Sequence, residues 1–507
     1  MRYVEVMDTT LRDGEQTDGV SFTPDEKLLI TKYLLDELNV DAVEVTSAGV
    51  SVGDYKALEM IAQWASQNNC LDKIEVLGFV DGTKSVDWIY NAGGRVVNLL
   101  TKGSINHLIN QLRKTPQQHI DDIFKVVDYA AFRGMKVNVY LEDWSNGMIN
   151  SRDYVHSLIE ALVGIDAVER IMLPDTLGIL DFTKTYESVS EIVDAYGDKK
   201  RFDFHGHNDY DLAVANSFAA VKAGITRVHT TINGLGERAG NTRLASLVAL
   251  LNDSGEFRVN VNEKKLYHAS KLVESLSGVG MLAPNLPIVG KNICIQNCGV
   301  HADGDKKGNL YQAKITPQRF GFRKTQYSLG KTAGKASLEK NLEALGIELD
   351  DEQKSKVLER IKELADKKHI TTRDDLPFLI ADVLGMKDIN KVELLDYEFY
   401  IRKNAMPKAK VKLKVRDEVY EKEATGNGQY DAFMNAVKKI YRKFSDDFPE
   451  LVDYTVRIPP GGKTGAIVET SILWKKGNHE FRTTSVDSDQ LVAAIKATMR
   501  MLNLNGY

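Results

Sequence analysis

RFDFHGHND, residues 201–209, alternates apolar and polar side chains with the two-residue period of a β-strand. This alternation places His205 and His207 on the same face of the strand. Neutral imidazoles that share a face can bind a divalent metal ion, and they can equally form hydrogen bonds within a polar core. Either way, the stretch predicts a buried strand that ends in a polar site.

Seven further strand-like runs accompany this one, and amphipathic helical stretches separate them. The eight runs are YVEVMD (3–8), AVEVT (42–46), IEVLGF (74–79), VVNLL (96–100), VNVYLE (137–142), RIMLPD (170–175), FDFHGH (202–207) and RVHTTI (227–232). This order predicts an α/β fold of the (β/α)8 TIM-barrel type, with a doubly wound open sheet as the alternative. Polar residues at the C-terminal ends of most runs favour the barrel, because barrel enzymes keep their active sites on that face.

The chain of 507 residues is too long for one core, so we expect several domains. Residues 1–275 are assigned to the catalytic barrel. Residues 276–390 form a linker region, loop-rich in GKNICIQNCGVHADGDKKGNLY (290–311) and then helical, that we interpret as a lid or helical arm. Residues 391–507 contain two similar segments, 408–440 and 466–499, which predict two ββα units of a C-terminal α+β regulatory domain.

The composition is that of a globular protein, with 43% hydrophobic and 27% charged residues. A formal net charge of −5 gives no reason to expect nucleic acid or a membrane surface as a partner. The first residues lack the pattern of a signal peptide, and no apolar run approaches the ~18 residues of a membrane span. The 3 cysteines cannot form a disulfide framework. We therefore expect a cytoplasmic protein.

A second polar stretch, TTLRDGEQ (9–16), follows the first strand. Asp13 offers a carboxylate and Asn241 an amide oxygen, which together with His205 and His207 make a donor set suited to Mn²⁺, Mg²⁺ or Zn²⁺. A metal bound there could chelate a 2-oxo acid and polarise its carbonyl. Arg12 could stabilise the alkoxide that forms when that carbonyl is attacked, or form a salt bridge at the barrel rim.

Two neighbouring features have alternative explanations. Thr176 could hold the carboxylate of the substrate, or it could cap the following helix. The glycines of GLGERAGN (234–241) follow a strand as in a dinucleotide-binding loop, but their spacing departs from G-x-G-x-x-G. We expect them instead to let the backbone turn sharply and present Asn241.

TLRDGEQ, HGHND and GLGERAGN resemble the metal-dependent Claisen-condensing enzymes with a DRE-type barrel, which include the 2-isopropylmalate, homocitrate and citramalate synthases. NVYLEDWSNG (138–147), NLLTKGS (98–104) and LGFVDG (77–82) are most similar to the citramalate synthases. The resemblance implies an acyltransferase that condenses acetyl-CoA with pyruvate and water to (R)-citramalate and CoA, the first step of isoleucine biosynthesis by that route. The alternatives are a 2-isopropylmalate synthase, which uses 2-oxoisovalerate, and an acyl-CoA lyase on the same barrel.

The resemblance also implies roles for individual residues. It assigns Asp13, His205, His207 and Asn241 to the metal and Arg12 to the keto oxygen, Glu142 and His301 to an acid/base pair, Tyr311 to the neighbourhood of acetyl-CoA, and Leu77, Leu100, Tyr140 and Thr176 to the 2-oxo acid. Tyr140 and Glu142 are two apart on one strand and therefore share a face. Two leucines and an aromatic ring leave room for only a methyl group, which favours pyruvate.

The C-terminal units lack a metal set and an evident nucleophile. Their pseudo-two-fold arrangement predicts a homodimer interface and a pocket. We expect Tyr430, Asp431, Leu451, Tyr454, Ile458, Val468 and Gln490 to form this pocket, with simple core packing of the apolar members as the alternative. The resemblance implies that its ligand is isoleucine, acting as a feedback effector.

Overall fold

The computed structural model describes residues 1–278, 283–290, 292–296, 298–311, 314–322, 326–366, 371, 373–384, 392–445, 447–457, 468–477 and 479–504. The chain forms two compact units. The first comprises residues 1–294 and 313–325, and the second comprises residues 295–312 and 326–507. Among the described helices, none combines the length and the apolarity needed to cross a membrane.

Eight parallel strands close into a barrel in the first unit. They are Glu5–Asp8 (β1), Ala42–Ser47 (β2), Ile74–Phe79 (β3), Val96–Lys102 (β4), Lys136–Glu142 (β5), Val168–Asp175 (β6), Arg201–Gly206 (β7) and Arg227–Thr230 (β8). Strand β1 pairs with β8, which closes the sheet and excludes the open-sheet alternative. The predicted (β/α)8 barrel is confirmed.

One helix follows each strand on the outside of the barrel. The helices are Pro24–Lys32 (α1), Val52–Gln67 (α2), Lys84–Asn91 (α3), Pro116–Phe132 (α4), Arg152–Val163 (α5), Phe182–Tyr196 (α6), Ala213–Lys222 (α7) and Leu244–Asp253 (α8), with Leu266–Leu276 (α9) after them. Capping boxes at Thr23 and Thr115 start α1 and α4. A short extra helix, Trp144–Asn150, lies between β5 and α5.

Successive side chains of each barrel strand point alternately toward the helices and toward the barrel interior. Val137 and Val139 of β5 are buried in the main hydrophobic core between strands and helices. Asn138, between them, contacts Asn98 of the neighbouring strand inside the barrel. The same alternation on the other strands leaves a barrel interior that is polar in its lower layer, below the C-terminal face that carries the site.

The linker part of the second unit is more helical than we expected. Helices Lys335–Leu345 (α11) and Asp351–Asp366 (α12) confirm the predicted helical stretch, and Leu376–Leu384 (α13) packs with them. The expectation of a loop at 299–311 is wrong, because Gly299–Gly308 forms a helix (α10). A Cβ at Gly304 would lie 2.5 Å from the ring of Tyr311, so the glycine lets this ring pack against the helix.

The C-terminal module contains the two predicted ββα units, and each has one additional strand before it. The first has strands Val392–Tyr400 (β9), Lys408–Val415 (β10) and Glu418–Thr425 (β11) and helix Gln429–Tyr441 (α14); the second has Glu450–Arg457 (β12), Val468–Lys476 (β13), His479–Asp487 (β14) and helix Gln490–Leu504 (α15). Each sheet is antiparallel. Both units contribute to one hydrophobic core, which includes Phe433 and Trp474. We missed the first strand of each unit because β9 and β12 are largely exposed and carry many polar residues.

Candidate active site and metal centre

Asp13, His205 and His207 lie together at the C-terminal face of the barrel, with their ligand atoms within 4.8 Å of one another. Nε2 of His205 is 2.9 Å from Oδ2 of Asp13 and 3.3 Å from Nε2 of His207. Ligands about 2.1 Å from one metal ion are roughly 3 Å apart, so these separations are those of a coordination shell.

The protonation of these groups fits a bound cation. Burial opposes ionisation of Asp13, but Arg12 and the histidines outweigh it and hold the pKa of Asp13 well below its usual range. Burial lowers the pKa of His207 to about 4, so its imidazole is neutral at pH 7. Within the described residues, the buried Nδ1 atoms of both histidines have no hydrogen-bond partner. A proton on each Nδ1 leaves both Nε2 atoms with lone pairs inside the cluster, and a cation among these acceptors removes their repulsion.

Asn241 completes the cluster. Its Nδ2 lies 2.5 Å from Oδ2 of Asp13, and its Oδ1 is buried without a hydrogen-bond partner among the described residues. Because a half-turn of the amide exchanges oxygen and nitrogen, the same side chain can present an oxygen ligand to the cluster. The residues present therefore fit a divalent metal held by two imidazoles, a carboxylate and an amide.

The glycine-rich loop presents Asn241, as the sequence suggested. Gly236 has φ +155°, and a Cβ there would lie 1.9 Å from Oδ1 of Asn241. An antiparallel bridge between His207 and Asn241 fixes the loop to the end of β7. The loop therefore serves the metal cluster, and its close backbone approach leaves no place for a side chain at residue 236.

Arg12 lies beside the cluster and is held by a residue that our sequence analysis missed. Its Nη1 is 3.2 Å from Oδ1 of Asp13, and its Nε donates to Oε2 of Glu44 at 2.7 Å. Glu44 is fully buried and also accepts hydrogen bonds from Thr9 and Asn98. Burial opposes ionisation of Glu44, but Arg12 and these donors lower its pKa, so the carboxylate is charged. Arg12 is thereby fixed as a cation that faces the site.

Leu77, Leu100 and Tyr140 come together in one small apolar cluster, as the resemblance implied. Met172, which we did not predict, is the fourth member. Leu77, Tyr140 and Met172 are buried, and the ring of Tyr140 meets that of His205 edge-on with 5.8 Å between centroids. The cluster therefore forms an apolar wall directly beside the metal ligands.

Glu142 and Thr176 also lie at the ends of their strands, and both have partners. Lys102, at the end of the neighbouring strand, forms an ion pair with Glu142. The hydroxyl of Thr176 accepts a hydrogen bond from the backbone N–H of Asp143 at 2.9 Å. Thr176 does not cap the next helix, since the N-cap of α6 is Asp181.

His301 and Tyr311 belong to the second unit. Their rings stack with 4.1 Å between centroids, and Asp305 accepts a hydrogen bond from the backbone N–H of Tyr311. His301 is half-buried and Tyr311 is exposed. Their catalytic roles stay predictions.

The C-terminal module contains a cleft of about 870 Å³ between the first turns of α14 and α15. Its lining includes five of the seven residues that we predicted: Tyr430, Asp431, Leu451, Tyr454 and Gln490. Lys438 and Asp489, which we did not predict, add a cation and a second carboxylate. Val468 is buried in β13 and is not among the lining residues. Ile458 lies outside the described residues.

A signal for the missed interior residues was present in the sequence. Glu44, Asn98 and Asp203 each occupy a polar position between two apolar neighbours in a short strand. Such a position inside a barrel strand points to the axis, where the polar side chain must find partners. Glu44 forms an ion pair with Arg12, and Asp203 forms ion pairs with Arg170 and Arg227.

The fold and the site define a barrel enzyme with a candidate metal centre and an arginine at its mouth. Residues 3–273 match the HMGL-like family model, residues 288–369 the homocitrate synthase post-HMGL domain-like model, and residues 370–505 the LeuA allosteric (dimerisation) domain. Two curated relatives are the putative (R)-citramalate synthase of Archaeoglobus fulgidus, 34% identical over 99% of both chains, and the (R)-citramalate synthase of Methanocaldococcus jannaschii, 33% identical over 99% of both. The probable 2-isopropylmalate synthase of Methanopyrus kandleri is 34% identical over 99% of this chain and 98% of that one.

The chain belongs to the HMGL-like family, in the group that contains citramalate and 2-isopropylmalate synthases. It is an acyltransferase-type enzyme. Relatives named for the two products are equally similar to this chain, so sequence identity alone does not decide between the two acceptors.

Proposed function

We propose that the protein condenses acetyl-CoA with pyruvate and water to give (R)-citramalate and CoA, and so begins isoleucine biosynthesis. The observation that carries this proposal is the apolar wall of Leu77, Leu100, Tyr140 and Met172 beside Arg12 and the metal ligands. An isopropyl group needs two more methyl groups of space than pyruvate does. A wall of three buried side chains, one of them aromatic, disfavours that larger acceptor.

The metal ligands in this proposal are Asp13, His205, His207 and Asn241. A divalent ion held by them supplies Lewis-acid polarisation of the 2-oxo acid. Arg12 is held by Glu44 and Asp13, which leaves part of its guanidinium to stabilise negative charge on the keto oxygen. Thr176, at the end of β6, is assigned to the carboxylate of the acid.

Glu142 and His301 are the proposed acid/base pair, with Tyr311 near the acetyl group. One of the pair removes a proton from the acetyl methyl group, the resulting carbanion attacks the keto carbon, and the oxygen that becomes negative takes up a proton. Water then cleaves the thioester and releases CoA. Lys102 holds the Glu142 carboxylate in place for this chemistry.

The test is to supply the purified protein with acetyl-CoA and a panel of 2-oxo acids and to follow free CoA. We expect pyruvate to have the highest kcat/KM, and the product to be citramalate of R configuration. A preference for 2-oxoisovalerate would identify a 2-isopropylmalate synthase instead. Cleavage of a hydroxyacyl-CoA without net condensation would identify a lyase.

The C-terminal module is proposed to regulate this reaction as a homodimer. The match to an allosteric (dimerisation) domain supports both statements. The cleft combines apolar side chains with Asp431, Asp489 and Lys438, a lining that suits the charged groups and side chain of an aliphatic amino acid. We assign isoleucine as the effector. The domain limits at 275 and 390 and the cytoplasmic location stay predictions from the sequence.

A further inference from the structure

Tyr140 contributes the only aromatic ring of the described acceptor wall, and its hydroxyl lies among three polar groups. Nδ1 of His229 is 3.0 Å away, Nη2 of Arg12 is 3.4 Å away and Oε2 of Glu44 is 3.5 Å away. A phenol has one proton to donate. The identity of its acceptor therefore decides how the ring and Arg12 are held.

His229 lies at the end of β8 and is buried, with 1% of its surface exposed. Its Nε2 is 3.3 Å from Oδ2 of Asp203. Asp203 forms ion pairs with Nη1 of Arg170 at 2.9 Å and Nε of Arg227 at 2.7 Å, so it is a carboxylate that can only accept. Nε2 of His229 therefore carries a proton and donates it.

The state of the other ring nitrogen follows. An imidazole is ordinarily neutral at pH 7, and the burial of His229 favours the uncharged form. A neutral imidazole protonated on Nε2 has a lone pair on Nδ1, so Tyr140 donates its hydroxyl proton to His229. The phenol oxygen can then accept a hydrogen bond from Nη2 of Arg12. Oε2 of Glu44 keeps its shorter hydrogen bonds from Thr9 and Arg12.

We infer that His229 is a positioning residue that fixes the Tyr140 ring and thereby limits the size of the 2-oxo acid that the enzyme accepts. The hydrogen bonds from His229 to Tyr140 and to Asp203 link the acceptor wall to the ion pairs of Asp203 inside the barrel. Without this anchor, the hydroxyl keeps only its longer contacts to Arg12 and Glu44, so the ring is held less firmly against the acceptor. The inference rests on the proposed function, because it concerns the acceptor of that reaction.

Two substitutions at residue 229 separate positioning from packing. In His229→Asn, Oδ1 stands two bonds from Cβ like Nδ1 of histidine and can accept from Tyr140. In His229→Gln, the amide reaches the position of Nε2 and can donate to Asp203, but no atom replaces Nδ1, and the only acceptor left for Tyr140 is Glu44 at 3.5 Å. Asparagine and glutamine are otherwise similar. If His229 only fills space, the two substitutions should therefore have similar effects on the enzyme.

The experiment measures the ratio of kcat/KM for pyruvate to that for 2-oxobutyrate in the wild type, His229→Asn, His229→Gln, Tyr140→Phe and the double variant Tyr140→Phe/His229→Gln. We expect the ratio to fall about 10-fold in His229→Gln and in Tyr140→Phe, because one methylene is worth ~10–200-fold in such a pocket. The double variant should fall no further than either single one, because both remove the same hydrogen bond. His229→Asn should keep the ratio.

An unchanged ratio in His229→Gln, equal ratios in the Asn and Gln variants, or effects that multiply in the double variant would overturn the inference. Thermal unfolding of each variant shows any loss of packing separately. A wild type that prefers another 2-oxo acid would refute the proposed function; the same five proteins, assayed with that acid and its next longer homologue, would still test the His229–Tyr140 pair.

Discussion

Nε of Arg12 lies 2.7 Å from Oε2 of Glu44, a carboxylate whose other close hydrogen-bond partners, Thr9 and Asn98, also donate to it. Glutamine at this position would turn an N–H group toward at least one donor. We expect Glu44→Gln to lower kcat by roughly 100-fold, because a misplaced Arg12 no longer meets the developing charge. The measurement is steady-state kinetics with pyruvate and acetyl-CoA, together with the free energy of unfolding.

Glu75 provides the matched control. It is a second buried glutamate of the barrel interior, paired with Arg227 rather than with Arg12. Glu44→Gln and Glu75→Gln each break a buried ion pair and should destabilise the fold by about 3–5 kcal/mol. Only Glu44→Gln should also reduce kcat strongly. Equal losses of kcat in the two variants would show that Glu44 acts through stability alone.

The metal centre gives a second prediction. His207→Ala removes one imidazole from a cluster at the barrel mouth, and the side chain contributes little to the hydrophobic core. We expect the variant to lose bound metal and activity with little change in its unfolding temperature. Metal content per chain and turnover check this. His156→Ala, which removes a surface histidine that contacts Glu191 and Tyr196, should retain both. A His207→Ala enzyme with wild-type metal content would contradict the assignment.

The barrel was predictable from the sequence because every strand is a compact β-branched run followed by an amphipathic helix. The clustering of the candidate metal ligands was predictable for a related reason: His205, His207 and Asp13 lie at or just after strand ends, where the barrel brings them to one face. The partners inside the barrel were not predicted. Glu44, His229 and Met172 come from different strands, and their proximity depends on the register in which the sheet closes.

The second unit shows where composition misleads. Three glycines and several charged residues between 299 and 308 predicted a loop, but the stretch is a helix against which the Tyr311 ring packs. Strands β9 and β12 are exposed on much of their surface, so they lack the apolar alternation that reveals a strand. Pairing with β10 and β13 decides the structure of these two strands.

The acceptor wall gives a third prediction. Leu77→Ala opens the cluster next to Tyr140. We therefore expect kcat/KM for 2-oxobutyrate, relative to that for pyruvate, to rise ~10–200-fold. Val76→Ala is the control, since Val76 packs in the core between strands and helices instead. Val76→Ala should lower stability and leave the ratio unchanged. A Leu77→Ala enzyme with unaltered selectivity would show that the acceptor lies elsewhere.

His119 gives a prediction about pH. Its Nε2 accepts a hydrogen bond from the backbone N–H of Lys102 at 3.1 Å, and burial lowers its pKa from 6.5 to about 4. The unfolded chain therefore binds the proton more readily between these values, so stability is full above about pH 6.5 and falls as the pH drops toward 4. At about 1.4 kcal/mol per pKa unit, the loss is at most roughly 3 kcal/mol.

His119→Gln can keep an acceptor for Lys102 but does not titrate. Chemical unfolding at several pH values should show a steeper loss of stability for the wild type than for this variant between pH 6.5 and 4.5. Parallel curves would show that His119 does not contribute to the acid sensitivity of the fold.

The final prediction concerns the C-terminal cleft. Oδ2 of Asp431 accepts a hydrogen bond from the backbone N–H of Asn427 at 2.8 Å, so the carboxylate also holds the loop before α14. Asp431→Ala removes both the charge and this hydrogen bond, whereas Asp431→Asn can keep the hydrogen bond through its amide oxygen. If the carboxylate binds the ammonium group of isoleucine, both variants should need more isoleucine for half-inhibition. A coupling of about 1–3 kcal/mol between effector and substrate sites corresponds to ~5–150-fold in affinity.

Asp489→Asn removes the second carboxylate of the cleft, which also caps α15 through Leu491 and Val492, and its comparison with Asp431→Asn shows which of the two carboxylates the effector needs. Inhibition is titrated with isoleucine and with leucine at fixed pyruvate. Equal responses of the wild type and Asp431→Asn would place the effector elsewhere, and leucine as strong as isoleucine would make the assigned pathway wrong.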